Sequence, residues 1–274
     1  VNRHYRLVVL LVAALSAGCE TVRTTEGGAI GLDREQTMSP LISAQEMDRA
    51  AAQAYQQTLG QASKQGKLNQ DPALTARVRA IAQRLIPQTG VFRRDAPQWK
   101  WEVNVITSKE LNAWCMPGGK IAFYSGIIQQ LKLSDDEIAA IMGHEIAHAL
   151  REHARERAGQ QAGVGLIIGI GGAVAGAGQG AMDLADLVAQ LTFTLPNSRL
   201  HETEADRIGV ELAARGGYDP RAAVTLWEKM AKSGGNGPPQ FLSTHPSPDT
   251  RIRDLQDYSA RVMPLYEKAR AGTR

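Results

Sequence analysis

Ser134-Asp135-Asp136-Glu137-Ile138-Ala139-Ala140-Ile141-Met142-Gly143-His144-Glu145-Ile146-Ala147-His148 is the stretch on which the reading of this chain turns. Ser134 with Glu137 three residues later is a capping box, and the pattern predicts a helix through Ile138, Ile141, His144, Ile146 and His148 towards Glu152. Four residues turn a helix by about 400°, so His144 and His148 leave one face a turn apart, where two imidazoles can grip one zinc ion. Glu145 lies beside them, suited to take a proton from a zinc-bound water whose pKa the metal lowers towards about 7. Chance produces this five-residue pattern on the order of once per hundred such chains, and the helical context lowers that further.

Zinc in a hydrolytic site takes three protein ligands and leaves a fourth place for water. On a helix continuing past His148, His153 points roughly 140° away and reads as structural. Better candidates stand in Ser198-Arg199-Leu200-His201-Glu202-Thr203-Glu204-Ala205-Asp206. Glu202 and Asp206 share a helix face, whereas Glu204 sits about 200° round from Glu202. Glu202 is then the expected ligand, and Asp206 the acceptor of a hydrogen bond from a ligand imidazole. His201 is a competing ligand. Without the upstream histidines these acids read as the solvated face of a charged helix.

The 274 residues fit one large domain or two small ones, and 43% hydrophobic with 22% charged residues excludes wholesale disorder. The net charge of +3 falls to +1 without the first 18 residues, which hold Arg3 and Arg6 and no acid, so no nucleic-acid partner is expected. Those residues read as a signal peptide: a basic start, an apolar run from Leu7 to Leu15, then Leu15-Ser16-Ala17-Gly18-Cys19 as a lipobox, with Cys19 the lipidated residue. The run is too short to span a bilayer. Residues 19–40 are expected to be a flexible, lipid-anchored tether and 41–274 the folded domain. Cys115 is left without a partner, as a buried small residue.

Ser43 with Glu46 is a second capping box, opening a helix towards Leu59, and Pro72 to Leu85 has apolar residues near helical spacing. Trp99 to Thr107 alternates as a strand does, with Ile121 to Tyr124 as its hairpin partner after Pro117-Gly118-Gly119, predicting a small antiparallel sheet. Further helices are expected from Ser198, Pro220, Pro248 and Ala260. Seven glycines among residues 162–178 suggest a packed helical hairpin or mobile lid rather than a membrane span.

The HEIAH helix, the segment Ser198 to Gly209, Thr244-His245-Pro246 with Arg251, Asn112-Ala113-Trp114 and Pro117-Gly118-Gly119 together resemble the gluzincin peptidases. That family includes the CAAX prenyl endopeptidase and the mitochondrial peptidase with overlapping activities. The likeness covers roughly residues 40–260 and is strongest to the periplasmic BepA- and LoiP-like branch. It implies an α+β, predominantly helical, zincin-like domain with one zinc per chain held by His144, His148 and Glu202. It also implies catalysis by Glu145, a loop that brings His245 near the metal, and a cleft edge at Asn112 and Ala113, with Arg251 a further substrate-binding candidate. His245 could donate to the oxyanion, occupy the fourth metal place in a resting state, or simply pack. The implied function is cleavage of misfolded or misassembled envelope proteins in the periplasm, from a lipid anchor in the outer membrane that Glu20 after Cys19 favours. The alternative is a chaperone-like assembly factor that binds strands and rarely cuts. The chain ends at Arg274, so the tetratricopeptide domain of one branch is not expected.

Overall fold

This computed structural model describes residues 20–161, 184–233, 239–246 and 250–272. Its elements are β1 (Glu20–Val22), β2 (Gln36–Met38), α1 (Ala44–Lys64), α2 (Pro72–Leu85), β3 (Glu102–Ile106), β4 (Ala113–Met116), β5 (Lys120–Tyr124), α3 (Ser125–Gln130), α4 (Asp135–Leu150), α5 (Leu184–Phe193), α6 (Arg199–Arg215), α7 (Ala222–Lys232), α8 (Gln240–Thr244) and α9 (Arg251–Ala271). A further helical stretch spans 153–161. Both capping boxes form: Ser43 and Ser134 accept from the backbone of Glu46 and Glu137, whose carboxylates return bonds of 2.8 Å to the cap N–H groups. The glycine-rich residues 162–178 and Cys19 with its lipobox lie outside the described residues.

α4 is the axis of the molecule. Every residue from Glu137 to Leu150 is buried, as expected of a helix covered on all sides. α6 crosses it at a pair of glycines. A Cβ on Gly143 would stand 2.6 Å from the Gly209 carbonyl oxygen, and one on Gly209 would stand 2.8 Å from the His144 nitrogen. This backbone approach puts the residues of α4 and α6 that carry chemistry within reach of one another. Gly209→Ala should force the helices apart, costing about 1–3 kcal/mol, or roughly 2–4 °C of Tm per kcal/mol, and should weaken metal binding as well. Thermal unfolding and a zinc titration check it; an unchanged protein would mean the crossing is more compliant than it looks.

The sheet differs from the expected antiparallel pair. Its order is β3-β5-β4, with β3 parallel to β5 and β4 antiparallel to it. Gly118 and Gly119 both have positive φ (71° and 79°), which makes Pro117-Gly118-Gly119 a tight turn joining the strands directly beside it, so the hairpin is β4–β5. Its strands alternate strictly: Ala113, Cys115, Ile121 and Phe123 join the core around α4, while Trp114, Met116 and Ala122 face α1 and α5. β4 is left as an edge beside α4.

The predicted tether is also corrected. Residues 20–38 form a strap folded onto the domain, with β1 and β2 paired and Ile30, Leu32 and Met38 buried. The Glu211 carboxylate accepts from the N–H groups of Ala29 and Ile30 at 2.8 and 3.2 Å. Glu156 accepts from Arg34 at 2.7 and 2.9 Å, from Gln36 at 3.0 Å and from His201 at 3.1 Å. Burial alone would raise the pKa of Glu156, but these donors outweigh it and hold the carboxyl well below its usual range. A depressed native pKa gives stability that is fully present above the unfolded value of about 4.3 and is lost as pH falls towards the native value. The strap should therefore lose protection against hydrogen exchange below about pH 4, and Glu156→Gln should flatten that dependence. Equal pH dependence in the two proteins would take Glu156 out of the account.

Candidate metal centre

α4 presents His144 and His148, α6 presents Glu202 and Asp206, the end of α8 presents His245, and α9 begins with Arg251. The Nε2 atoms of His144 and His148 stand 3.1 Å apart. Glu202 Oε2 lies 3.4 Å from His144 Nε2, and Glu202 Oε1 lies 3.3 Å from His148 Nε2. His245 Nδ1 is 3.2 Å from His144 Nε2 and 3.0 Å from Glu202 Oε1. One ligand atom from each of these four buried side chains lies within 4.8 Å of all the others.

The donor set fits a metal. His144 Nδ1 is 2.9 Å from Asp206 Oδ1, and donating its proton there leaves Nε2 as a lone pair facing His148 and Glu202. Lone pairs and a carboxylate at such distances need a metal ion or a proton among them. Atoms bound at about 2.0–2.1 Å to a tetrahedral zinc would stand roughly 3.3 Å apart, as these do. The electrostatics agree. At His144 burial disfavours the charged ring, yet Asp206 and Glu202 outweigh it and push the pKa up to about 9, so without a metal this ring holds a second proton, on Nε2, that a metal ion would displace. At His148 burial wins and holds the pKa well below the usual value. Burial would raise Glu202, but His245, His144 and His148 hold it well below the carboxylate range.

Glu145 sits behind this cluster. Among the described residues its Oε1 is buried without a hydrogen-bond partner, with His245 Nε2 3.4 Å away. Burial raises its pKa against the opposing pull of His245 and His144, so it is a stronger base than a solvated carboxylate. Beside it a cavity of about 50 Å³ is lined by Trp114, Cys115, His148, Leu191, Asn197 and His245, roughly water-sized. His245 is held by its neighbours: its ring stacks on Phe241 at 4.4 Å, and its N–H donates to the Phe241 carbonyl at 2.9 Å. Pro246 keeps its backbone extended, at φ −120° and ψ 76°.

Three expectations fail here. Arg251 does not face a cleft: it is 1% exposed, donates to Glu202 at 3.0 Å and Asp206 at 2.6 Å, and lies 3.4 Å over the Trp227 ring. In this structure it holds the two acids of α6. Asn112 and Ala113 are buried at the start of β4, with Asn112 Oδ1 accepting from the Ala113 N–H at 2.9 Å; the cavity is lined instead by Trp114 and Cys115 further along the strand. His153 does not point away, because α4 stops at Leu150 and the chain turns through Glu152 at φ 50°. Its Nδ1 comes within 2.8 Å of His148 Nδ1. His201 stays outside the cluster, bonded to Glu156 and stacked on His153 at 4.2 Å. The partners that the sequence did not reveal are Trp227 and Glu204, and neither stands in a local pattern that marks it.

A buried helix bearing His144, Glu145 and His148, with an acid from the next long helix closing the ligand set, defines a zincin-type metallopeptidase domain on an α+β, predominantly helical framework. The model of peptidase family M48 matches residues 72–259, and the chain belongs to that family. It is 37% identical over 174 residues to the mitochondrial metalloendopeptidase OMA1 of Arabidopsis thaliana, covering 63% of this chain and 35% of that protein. OMA1 of Schizosaccharomyces pombe is 34% identical over 212 residues, 77% of this chain and 60% of its own length. The β-barrel assembly-enhancing protease of Escherichia coli is 27% identical over 207 residues, 71% of this chain and 41% of that protein. The chain thus covers less than two thirds of each. These relatives overturn the expected location in the periplasm on an outer-membrane lipid anchor, since the mitochondrial proteins stand at higher identity than the bacterial one.

Proposed function

We propose that this chain is a zinc-dependent endopeptidase that cuts unfolded or misassembled proteins, with one zinc held by His144, His148 and Glu202. The observation that carries it is the unpartnered Oε1 of Glu145, buried beside four converging ligand atoms. When bound, zinc supplies Lewis acidity that polarises the scissile carbonyl and acidifies water. Glu145 accepts the proton of the attacking water and delivers it to the leaving amine. Asp206, held by Arg251, keeps the His144 ring in its ligand tautomer. Among the described residues β4 pairs with β5 alone; its residues are buried here, and opening of the site would give an extended substrate backbone groups to which it can add as a strand, a mode that suits unfolded chains. The name of the Escherichia coli relative, an assembly-enhancing protease for β-barrels, suits that substrate class.

His245 Nδ1 lies among the ligand atoms and the cavity is water-sized, so the loop bearing His245 must shift before a peptide enters. After that shift the imidazole is free to donate to the oxyanion, a contact worth roughly 3–4 kcal/mol. Purified protein should cut an unfolded substrate, stop on chelation and recover with zinc. His245→Ala should bind zinc and cut about 100- to 1000-fold more slowly. Cleavage that survives chelation would overturn the metallopeptidase reading; a faster His245→Ala would mean that the ring chiefly blocks the metal.

A further inference from the structure

The two ligand histidines are not supported alike. His144 meets an acid directly, through Asp206. His148 meets another histidine: its Nδ1 is 2.8 Å from His153 Nδ1, and His153 Nε2 is 3.0 Å from Glu204 Oε2. Both His153 and Glu204 are 1% exposed, so water does not replace these bonds. Glu204 in turn accepts from Arg151 at 3.1 Å and from Arg34 of the strap at 2.5 and 3.0 Å.

We propose that His153 is a positioning residue for metal ligand His148, acting as the middle member of a His148–His153–Glu204 relay anchored on Arg151 and the strap's Arg34. With both rings neutral, one proton arrangement satisfies every atom in the relay. Glu204, flanked by two guanidinium groups, is an acceptor, so His153 carries its proton on Nε2. His153 Nδ1 is then a lone pair, and the atom facing it, His148 Nδ1, must be the donor. That fixes the lone pair of His148 on Nε2, the atom 3.3 Å from Glu202 and 3.1 Å from His144. A metal ligand whose tautomer and ring plane are set in this way binds without reorganisation, and loss of such a partner typically costs about 10- to 100-fold in metal affinity. The arrangement also explains why Glu204 sits off the Glu202–Asp206 face of α6: it reaches Arg151 and His153 on the chain leaving α4.

This rests on the zinc reading above. The test compares the full chain with His153→Gln and His153→Phe in zinc titrations against a competing chelator, with thermal unfolding of the metal-free proteins alongside. Glutamine keeps an acceptor for His148 and a donor for Glu204, whereas phenylalanine keeps only the volume. His153→Gln should bind zinc within a few-fold of the parent, and His153→Phe about 10- to 100-fold more weakly. In metal-free protein, nitrogen-15 NMR of the imidazoles should show His148 protonated on Nδ1 in the parent and in His153→Gln, with that preference lost in His153→Phe. If the parent itself takes up no zinc, the metal reading fails. If the parent binds zinc and both variants match it, or both weaken equally with the tautomer unchanged, the relay is overturned.

Discussion

Glu145→Gln is expected to bind about one zinc per chain and to cut an unfolded protein about 100- to 10,000-fold more slowly than the parent. The reason lies in how the carboxylate is held. Glu145 follows a ligand in sequence without belonging to the ligand set, and among the described residues its Oε1 is buried with no donor satisfying it. Such an atom is costly to keep unless it has a task, and burial leaves it a more avid proton acceptor than a solvated carboxylate. Glutamine fills the same space and cannot take the proton. Folding and metal content should therefore survive while turnover does not, and metal analysis beside a cleavage assay separates the two. Cleavage near the parent rate in a fully loaded Glu145→Gln would remove this residue from the mechanism.

Glu202→Ala should abolish stoichiometric zinc, and with it all activity. Of the three proposed ligands only His144 and His148 remain, with His245 still beside them, and the carboxylate 3.3–3.4 Å from both Nε2 atoms is gone. The change also strips Arg251 of one of its two buried acids, and breaking a buried pair costs about 3–5 kcal/mol. Glu202→Gln, which still accepts from Arg251, should limit the loss of stability without restoring normal metal affinity. Glu204→Ala is the control on the same helix. It disturbs the support of His148 from behind, so zinc should bind more weakly yet still load at millimolar metal. If Glu202→Ala kept full occupancy while Glu204→Ala lost it, the ligand would be the other acid.

Much of this site is written in local spacing. Residues 144, 145 and 148 lie on one capped helix, and Glu202 and Asp206 lie one turn apart on another, so helix geometry alone sorts ligand candidates from bystanders. The capping boxes at Ser43 and Ser134 are equally local: donor and acceptor lie three residues apart, and their formation needs no distant partner. Family likeness added His245, whose sequence surroundings carry only a pre-proline backbone preference.

Tertiary contact decided the rest. Family likeness offered Arg251 as a substrate-binding candidate, whereas Asp206, Glu202 and the Trp227 face enclose it, and charge pairing across 45 to 49 residues has no local signature. The residues from Glu20 to Met38 lack a hydrophobic period because their stability comes from single side chains docking into the domain: Arg34 on Glu156 and Glu204, Gln36 on Glu156, and backbone N–H groups on Glu211. The sheet order sets β3 on the edge of β5 opposite β4, a placement that no alternation pattern encodes. His153 depended on one residue, Glu152, adopting a left-handed backbone without the glycine that would advertise a helix stop. By itself the sequence determined which side chains one helix offers to a metal, because a turn of helix is a fixed rotation. Which partners come to meet them was decided by the approach of α4 and α6 at Gly143 and Gly209, because only packed backbones bring residues some 60 positions apart within hydrogen-bonding distance.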